Sequence, residues 1–282
     1  MATSTEPDRR QVADHHAAQV GLGVVVAHEL RSAVSSMRLR TPQEAQAAFP
    51  QLVQLVQAVT RRHGSAASTL AVRRYGQVRR AAGVRTSFTP RPADPAPLPQ
   101  VQALVGWATK PLTSPETPAV APQTLTPGTS PTVTSETATE AAQQTLEDRL
   151  IVGTERLVLN QGRETTVENV QRDRQARAWA REVRPGCCAF CALMASRGPA
   201  YRSQDTAGGN ANIRFTGGGK FKFHNNCYCD VVPVFGAYEM TATAREAEAI
   251  YKNRGKGDAL NAFRRAWEDR NRPDGFTPRI PR

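Results

Sequence analysis

The sequence predicts a mainly helical protein that carries a small α+β module towards its C-terminal end. Three observations lead to this fold class. Apolar residues recur at helical spacing in the first third of the chain, prolines and threonines crowd its middle, and all five cysteines share one window of 43 residues. We expect four segments: a helical domain at 1–89, a Pro/Thr/Ser-rich linker at 90–135, a helical module with a Cys/His zinc site at 136–240, and a basic helical tail at 241–282.

The first 89 residues are predicted to form a bundle of three or four helices. Residues 1–40 read as one helix whose apolar positions lie roughly on one face: Val12, Leu22, Val26, Leu30 and Val34. The next helix begins at Thr41-Pro42-Gln43-Glu44, which has the N-cap, first-turn proline and third-position glutamate of a capping box. We expect this short helix to stop or kink at Pro50, because proline lacks the backbone N–H of a helix interior.

Two more helices are expected before residue 89. One has the apolar stripe Leu52, Val53, Leu55, Val56 and Val59, and Gly64 suits the position just after its last turn. The other is predicted from about Ser65 to Ala82 and ends near Gly83. Together with the preceding helices they would form the N-terminal bundle.

The linker is defined by its composition. Eleven of the 20 prolines lie between Pro90 and Pro131, and Thr and Ser crowd its second half. Such a segment cannot bury enough apolar surface to offset its ordering entropy. Only residues 101–108, with Leu104, Val105 and Trp107, are expected to pack as a helical island.

The second half of the chain is predicted to mix helices with short strands. Helices are expected at 136–160 and, after a break at Gly162, at 163–183. Residues 212–224 alternate apolar and polar side chains around a Gly turn, which predicts a β-hairpin, and 230–235 forms a third extended segment. Two tail helices follow at 241–251 and 258–269, the second with an apolar stripe of Leu260, Phe263 and Trp267. We expect this stripe to pack on the zinc module; docking a partner is the alternative.

Charge and hydropathy exclude some functions and favour others. The formal net charge is +12, divided as +7 in residues 1–89, −3 in residues 90–150 and +8 in residues 151–282. This balance favours non-specific contact with nucleic acid, although solvated faces of Arg-rich helices would give the same numbers. The longest apolar stretches are far shorter than a membrane span, and the first ten residues lack the order of a secretory signal. No membrane partner is expected.

The cysteines and one histidine form a pattern typical of a metal site. Cys188-x-x-Cys191 is followed, after 32 residues, by His224-x-x-Cys227-x-Cys229. A C-x-x-C turn aims two thiolates at one point, and a second short loop can complete a tetrahedral site. Soft thiolates with an imidazole suit Zn²⁺ better than Ca²⁺ or Mg²⁺. We expect one structural zinc per chain, with four of the six Cys/His candidates as ligands and Cys187 as the weakest of them.

Other readings of the same residues remain open. A disulfide framework would need an oxidising compartment and normally an even number of cysteines. A thioredoxin-like pair would need the C-x-x-C to follow a strand and open a helix, whereas a long helix is expected before it. Unliganded buried thiols are the third possibility. Gly217 to Lys220 lacks the spacing of a phosphate-binding loop, so a hairpin turn is the better reading.

Several runs resemble the phage Mu F-like minor head proteins, in the form found in actinobacteriophages. They comprise residues 158–165, 179–181, 195–198, 201–203, the Cys188–Cys191 pair and the His224–Cys229 box. Residues 56–88 also resemble the helical region that precedes the Mu F-like segment in that group. Tyr228 stands where many members have Arg, and no maturation protease or toxin domain is visible. The resemblance implies a few copies per virion, association with the portal vertex during head assembly, and no catalytic activity.

Three functions are therefore weighed. The favoured one is a minor capsid or head-morphogenesis protein that contacts portal, major capsid or scaffold proteins and lies in the virion after assembly in the host cytoplasm. An HNH-type nuclease would need a general-base histidine and a separate metal-binding residue, yet this half of the chain holds only His224. A DNA-binding zinc module would need a reading helix between its ligand pairs, where a Gly-rich hairpin is expected instead.

Overall fold

A computed structural model describes residues 9–37, 39–114, 135–183, 186–200, 223, 227–253 and 258–270. Its elements, in chain order, are α1 (Arg9–Ser35), α2 (Pro42–Ala81), α3 (Leu98–Thr113), α4 (Ser135–Arg172), β1 (Ala178–Glu182), α5 (Ala189–Ala195), β2 (Asp230–Val234), α6 (Ala242–Lys252) and α7 (Ala259–Arg270). The mainly helical fold class with a small β component is thus confirmed. The predicted hairpin at 212–224 lies outside the described residues, apart from Phe223.

The start of α2 follows the predicted capping box. Thr41 Oγ1 accepts the backbone N–H of Glu44 at 3.1 Å, and Glu44 Oε2 accepts the backbone N–H of Thr41 at 3.0 Å. These two bonds satisfy N–H groups that the first turn of a helix otherwise leaves without partners. Pro42 occupies the first helical position, as expected.

A helix end at Pro50 and another at Gly64 are wrong predictions, because α2 runs through both residues to Ala81. Leu52, Val56 and Val59 of its stripe are fully buried. Each contributes about 1.5–3 kcal/mol by burial, which together exceeds the penalty of about 3 kcal/mol for one interior proline. Gly64 remains helical for a packing reason, since a Cβ there would overlap the side-chain amide of Gln161 in α4. The helix ends where Gly83 adopts a positive φ of 72°.

A second correction concerns residues 163–183, which the sequence predicts to be one helix after a break at Gly162. Instead α4 continues through Gly162 to Arg172, and β1 follows at 178–182. An Asx turn ends α4: Asp173 Oδ1 accepts the N–H of Gln175 at 3.1 Å, and its carbonyl accepts the N–H of Ala176 at 3.0 Å. The strand then pairs antiparallel with β2, in the register Ala178 opposite Val234 and Glu182 opposite Asp230.

The described chain divides into two compact units. The helical unit comprises residues 19–67 and 94–161, and the cysteine unit comprises 1–18, 68–93 and 162–282. Three of the four boundaries lie inside α1, α2 and α4, and the fourth follows Ala93, so each unit is built from discontinuous segments. The predicted segment boundaries near 89, 135 and 240 stay predictions.

The helical unit has an aliphatic core. Fully buried side chains from α1, α2, α3 and α4 form one cluster that includes Val26, Leu30, Leu52, Val56, Val101, Val105, Leu146 and Leu150. The third of these helices covers the predicted island at 101–108 and extends it to 98–113. Residues 115–134 of the predicted linker lie outside the described part of the chain.

The cysteine unit has a mixed core. Aromatic and aliphatic side chains from α2, α4, β1, β2 and the tail pack with the cysteines, among them Tyr75, Val167, Trp179, Val231, Phe263 and Trp267. Helices α6 and α7 confirm the two helices predicted for the tail, with Thr241 Oγ1 capping α6 through the N–H of Ala244. Phe263 and Trp267 pack on the cysteine unit as expected, whereas Leu260 is exposed. Tail residues 271–282 lie outside the described residues.

Candidate metal centre

Two short segments of the cysteine unit bring the thiols together. Cys188 and Cys191 lie at the start of α5, and Cys227 and Cys229 lie just before β2. The Sγ atoms of Cys191, Cys227 and Cys229 all lie within 4.8 Å of one another, and all three residues are buried. Cys191 Sγ lies 3.3 Å from Cys227 Sγ. All five cysteines are free of disulfide bonds.

The three-thiol cluster fits a metal with tetrahedral sulfur coordination. With Zn–S bonds near 2.3 Å, neighbouring sulfurs of a tetrahedral site lie about 3.8 Å apart, which is compatible with the spacing of this cluster. Three buried thiols favour a soft or borderline cation over calcium or magnesium. The cluster can therefore hold a metal ion.

The thiol of Cys229 interacts strongly with its neighbours. Hydrogen bonds with Cys187, Cys191 and Cys227, together with burial, raise the pKa of the Cys229 thiol far above its ordinary value. Crowded thiols resist ionisation because each new thiolate would face its neighbours in a low-dielectric site. A bound divalent cation reverses this preference, since it coordinates the thiolate form directly.

The remaining predicted ligands take different positions. Cys188 is exposed and outside the three-thiol cluster; its Sγ accepts the backbone N–H of Cys191 at 3.4 Å. Hydrogen bonding from Cys191 lowers the pKa of the Cys188 thiol. The carbonyl of Cys187 accepts the indole N–H of Trp267 at 2.9 Å, so α7 is tied to the start of α5. His224 lies outside the described residues.

A buried ionic network holds β2 beside the cluster. Arg74 of α2 donates to Asp230 Oδ2 at 2.7 Å and also to Glu182 of β1. His15 Nε2 lies 2.7 Å from the same Asp230 oxygen. Burial alone would raise the pKa of Asp230, but His15 and Arg74 outweigh it and hold that pKa well below its usual range. Since Asp230 directly follows Cys229, the network fixes the backbone that carries a cluster thiol.

Sequence reasoning missed the arginines that surround the thiols. Arg163 is fully buried and donates to the carbonyls of Cys227 and Cys229, and Arg181 Nη1 lies 3.5 Å from Cys191 Sγ. Both fall in runs that resemble the Mu F-like proteins, yet no local pattern distinguishes a buried arginine from a solvated one. Charged side chains are seldom fully buried, so an arginine in a sequence is normally assigned to the protein surface.

These features define a mainly helical protein whose thiol-rich unit contains a candidate structural metal centre. The chain belongs to the VG15 protein family, whose model matches residues 6–254. Membership makes it a phage-encoded protein. No curated protein and no solved structure matches the chain. None of the helices that the structure describes has the length and apolar character needed to cross a membrane.

Proposed function

We propose that the protein is a structural minor capsid or head-morphogenesis protein of a tailed phage. The observation that carries the proposal is the VG15 match over residues 6–254, which places it among phage-encoded proteins. Among phage-encoded proteins, the runs that resemble Mu F-like proteins favour a minor head protein, because they include both the Cys188–Cys191 pair and the Cys227–Cys229 pair. In this role the protein has a few copies per virion, lies inside the capsid at the portal vertex, and has no catalytic activity of its own.

The metal centre has a structural role in this proposal. Cys191, Cys227 and Cys229 hold one Zn²⁺, and the fourth ligand comes from Cys188 or His224. The metal links the start of α5 to the segment before β2. Binding to deprotonated thiols makes the metal's free energy part of the folding free energy.

The partners follow from the same role. Portal, major capsid or scaffold proteins contact the chain during assembly in the host cytoplasm, and its basic surface contacts packaged DNA. The +8 balance of residues 151–282 supports phosphate contacts that ignore base sequence. Affinity for DNA would then fall steeply as the salt concentration rises, because the counterions that binding releases gain less entropy in concentrated salt.

Fractionation of purified virions tests the head assignment. Heads and tails are separated, and the chain is quantified by mass spectrometry against the major capsid protein as an internal standard. We expect a few copies per virion, all in the head fraction. Chemical cross-linking of the purified heads should connect the chain to the portal. A protein abundant in infected cells but absent from washed virions would contradict the assignment.

A nucleic-acid assay separates this role from the nuclease and zinc-module alternatives. Binding to two unrelated duplexes is measured across a salt series, beside a nicking assay with Mg²⁺, Mn²⁺ and Zn²⁺. Equal, salt-sensitive binding and intact DNA support the structural role. Metal-dependent nicking that disappears in His224→Ala would favour the nuclease, and a strong preference for one duplex would favour the DNA-binding module.

A further inference from the structure

Two buried arginines converge on the three-thiol cluster from different elements. Arg163 comes from α4 and is fully buried, and Arg181 comes from β1 and is 4% exposed. Removing a guanidinium group from water is expensive unless negative charge and hydrogen-bond acceptors surround it. Their position beside the thiols therefore needs a physical reason.

Arg163 contacts the backbone of the second ligand segment. Its Nε donates to the carbonyl of Cys229 at 3.0 Å, and its Nη2 donates to the same carbonyl at 2.8 Å and to the carbonyl of Cys227. The fork of donors thus holds the two carbonyls in a fixed relation. This arrangement sets the orientation of two cluster residues through their backbone.

Arg181 contacts the first ligand segment. Its Nη1 donates towards Cys191 Sγ at 3.5 Å, a charge-assisted bond that strengthens when the sulfur is a thiolate. The guanidinium carbons of Arg163 and Arg181 both lie 3.8 Å from the centre of the Phe223 ring. Phe223 is buried, so both cations stack on an aromatic ring that lies four residues before Cys227.

The two cations repel each other, and negative charge nearby offsets that repulsion. Burial lowers the pKa of Arg163 and repulsion from Arg181 lowers it further, whereas Cys227, Asp230 and Cys229 favour its charged form. A divalent ion with three thiolates has a formal charge of −1, and a fourth thiolate makes it −2. Two guanidinium groups supply +2, which neutralises a four-thiolate centre and exceeds the charge of a three-thiolate centre by one.

We propose that Arg163 and Arg181 are positioning residues that balance the negative charge of a thiolate metal centre formed by Cys191, Cys227 and Cys229. The inference rests on the metal centre of the proposed function and does not depend on the head assignment. Arg163 orients the Cys227–Cys229 backbone, and Arg181 stabilises the Cys191 thiolate. Both belong to the outer shell of the site, where substitutions typically lower metal affinity 10–100-fold.

Metal titration of the full-length protein tests the proposal. Zinc affinity is measured by competition with a chromophoric chelator, and Co²⁺ in place of Zn²⁺ reports the thiolate environment by its absorption spectrum. We expect Arg163→Met and Arg181→Met each to weaken zinc binding about 10–100-fold. Arg181→Lys keeps the charge and should recover most of the affinity, and Arg181→Met should shift the cobalt–thiolate absorption.

Arg79→Met is the matched control, because Arg79 is also buried in the cysteine unit but pairs with Asp173 at 2.8 Å. It should destabilise the fold while leaving zinc affinity and the cobalt spectrum unchanged. The inference is overturned if Arg181→Met binds zinc as the wild type does, or if Arg79→Met weakens binding as much as Arg181→Met does. If the wild-type protein binds neither metal, the metal centre itself is wrong and this inference falls with it, whereas virion fractionation tests the head role separately.

Discussion

Different interactions stabilise the cores of the helical unit and the cysteine unit. The helical unit buries a single aliphatic cluster. The arginines are exposed in two of its ion pairs, Arg62–Glu29 and Arg31–Glu147. The cysteine unit buries thiols and aromatic rings together with charged side chains such as Arg74, Glu182 and Asp230. Aliphatic burial stabilises a core without regard to ionisation, whereas buried thiols and charges stabilise one only when their partners are in place. The two units should therefore respond differently to the same perturbations.

Metal removal should produce the largest difference. Structural zinc contributes on the order of 10–16 kcal/mol in zinc-finger peptides, so chelation should expose the cysteine unit and spare the helical unit. Hydrogen exchange followed by mass spectrometry would show lost protection around α5 and β2, with Leu30 and Leu52 segments still protected. Cys227→Ser should reproduce the effect, and Cys187→Ser should retain the metal. Equal loss of protection in both units would contradict this prediction.

Breaking the buried ionic network should have the next largest effect. Arg74→Met removes the cation that buried Glu182 and Asp230 share and leaves Asp230 paired with His15, which should lower the free energy of unfolding by about 3–5 kcal/mol. Arg62→Met in the helical unit is the control, because Arg62 is 67% exposed in its pair with Glu29 and should change stability by less than about 1 kcal/mol. Urea denaturation measures both, and similar losses would show that burial does not distinguish the two pairs.

A cavity in the aliphatic core of the helical unit should lower the stability of the protein whether or not zinc is bound. Leu52 is fully buried in the aliphatic cluster, so Leu52→Ala should destabilise the protein by about 2–5 kcal/mol. The loss should be the same in the zinc-loaded and chelated protein. Val24→Ala removes a side chain that is 63% exposed and should fall within about 0.5 kcal/mol of wild type. If the loss caused by Leu52→Ala depended on zinc, this prediction would be wrong.

The smallest expected effect is a gain in stability. Pro50 is exposed inside α2, and Pro50→Ala restores a helical N–H, so the free energy of unfolding should rise by about 1–3 kcal/mol. Pro42→Ala is the control at the first helical position, where the N–H has no helical partner, and should be nearly neutral. Thermal denaturation measures the pair. A lower midpoint for Pro50→Ala would mean that the proline has a packing role.

The sequence predicted correctly several features that depend on short stretches of the chain. The capping box of Thr41 and Glu44 depends on neighbours only a few residues away, and the local pattern at 230–235 predicted the extended segment that became β2. Periodic apolar positions likewise predicted the stripe of α2. The clustering of cysteines indicated one site before any distance was known, and three of them do meet.

Tertiary structure decided the features that depend on distant segments. Ala178–Glu182 has a helix-forming composition but became β1, because pairing with β2 satisfies its backbone groups and buries its side chains. Pro50 and Gly64 stayed within α2 because buried neighbours outweighed their local preference to end a helix. The sequence alone determined that thiols, helices and positive charge are present. Only the fold placed Arg163 and Arg181 beside those thiols, because the free energy of a buried charge depends on groups that lie far away along the chain.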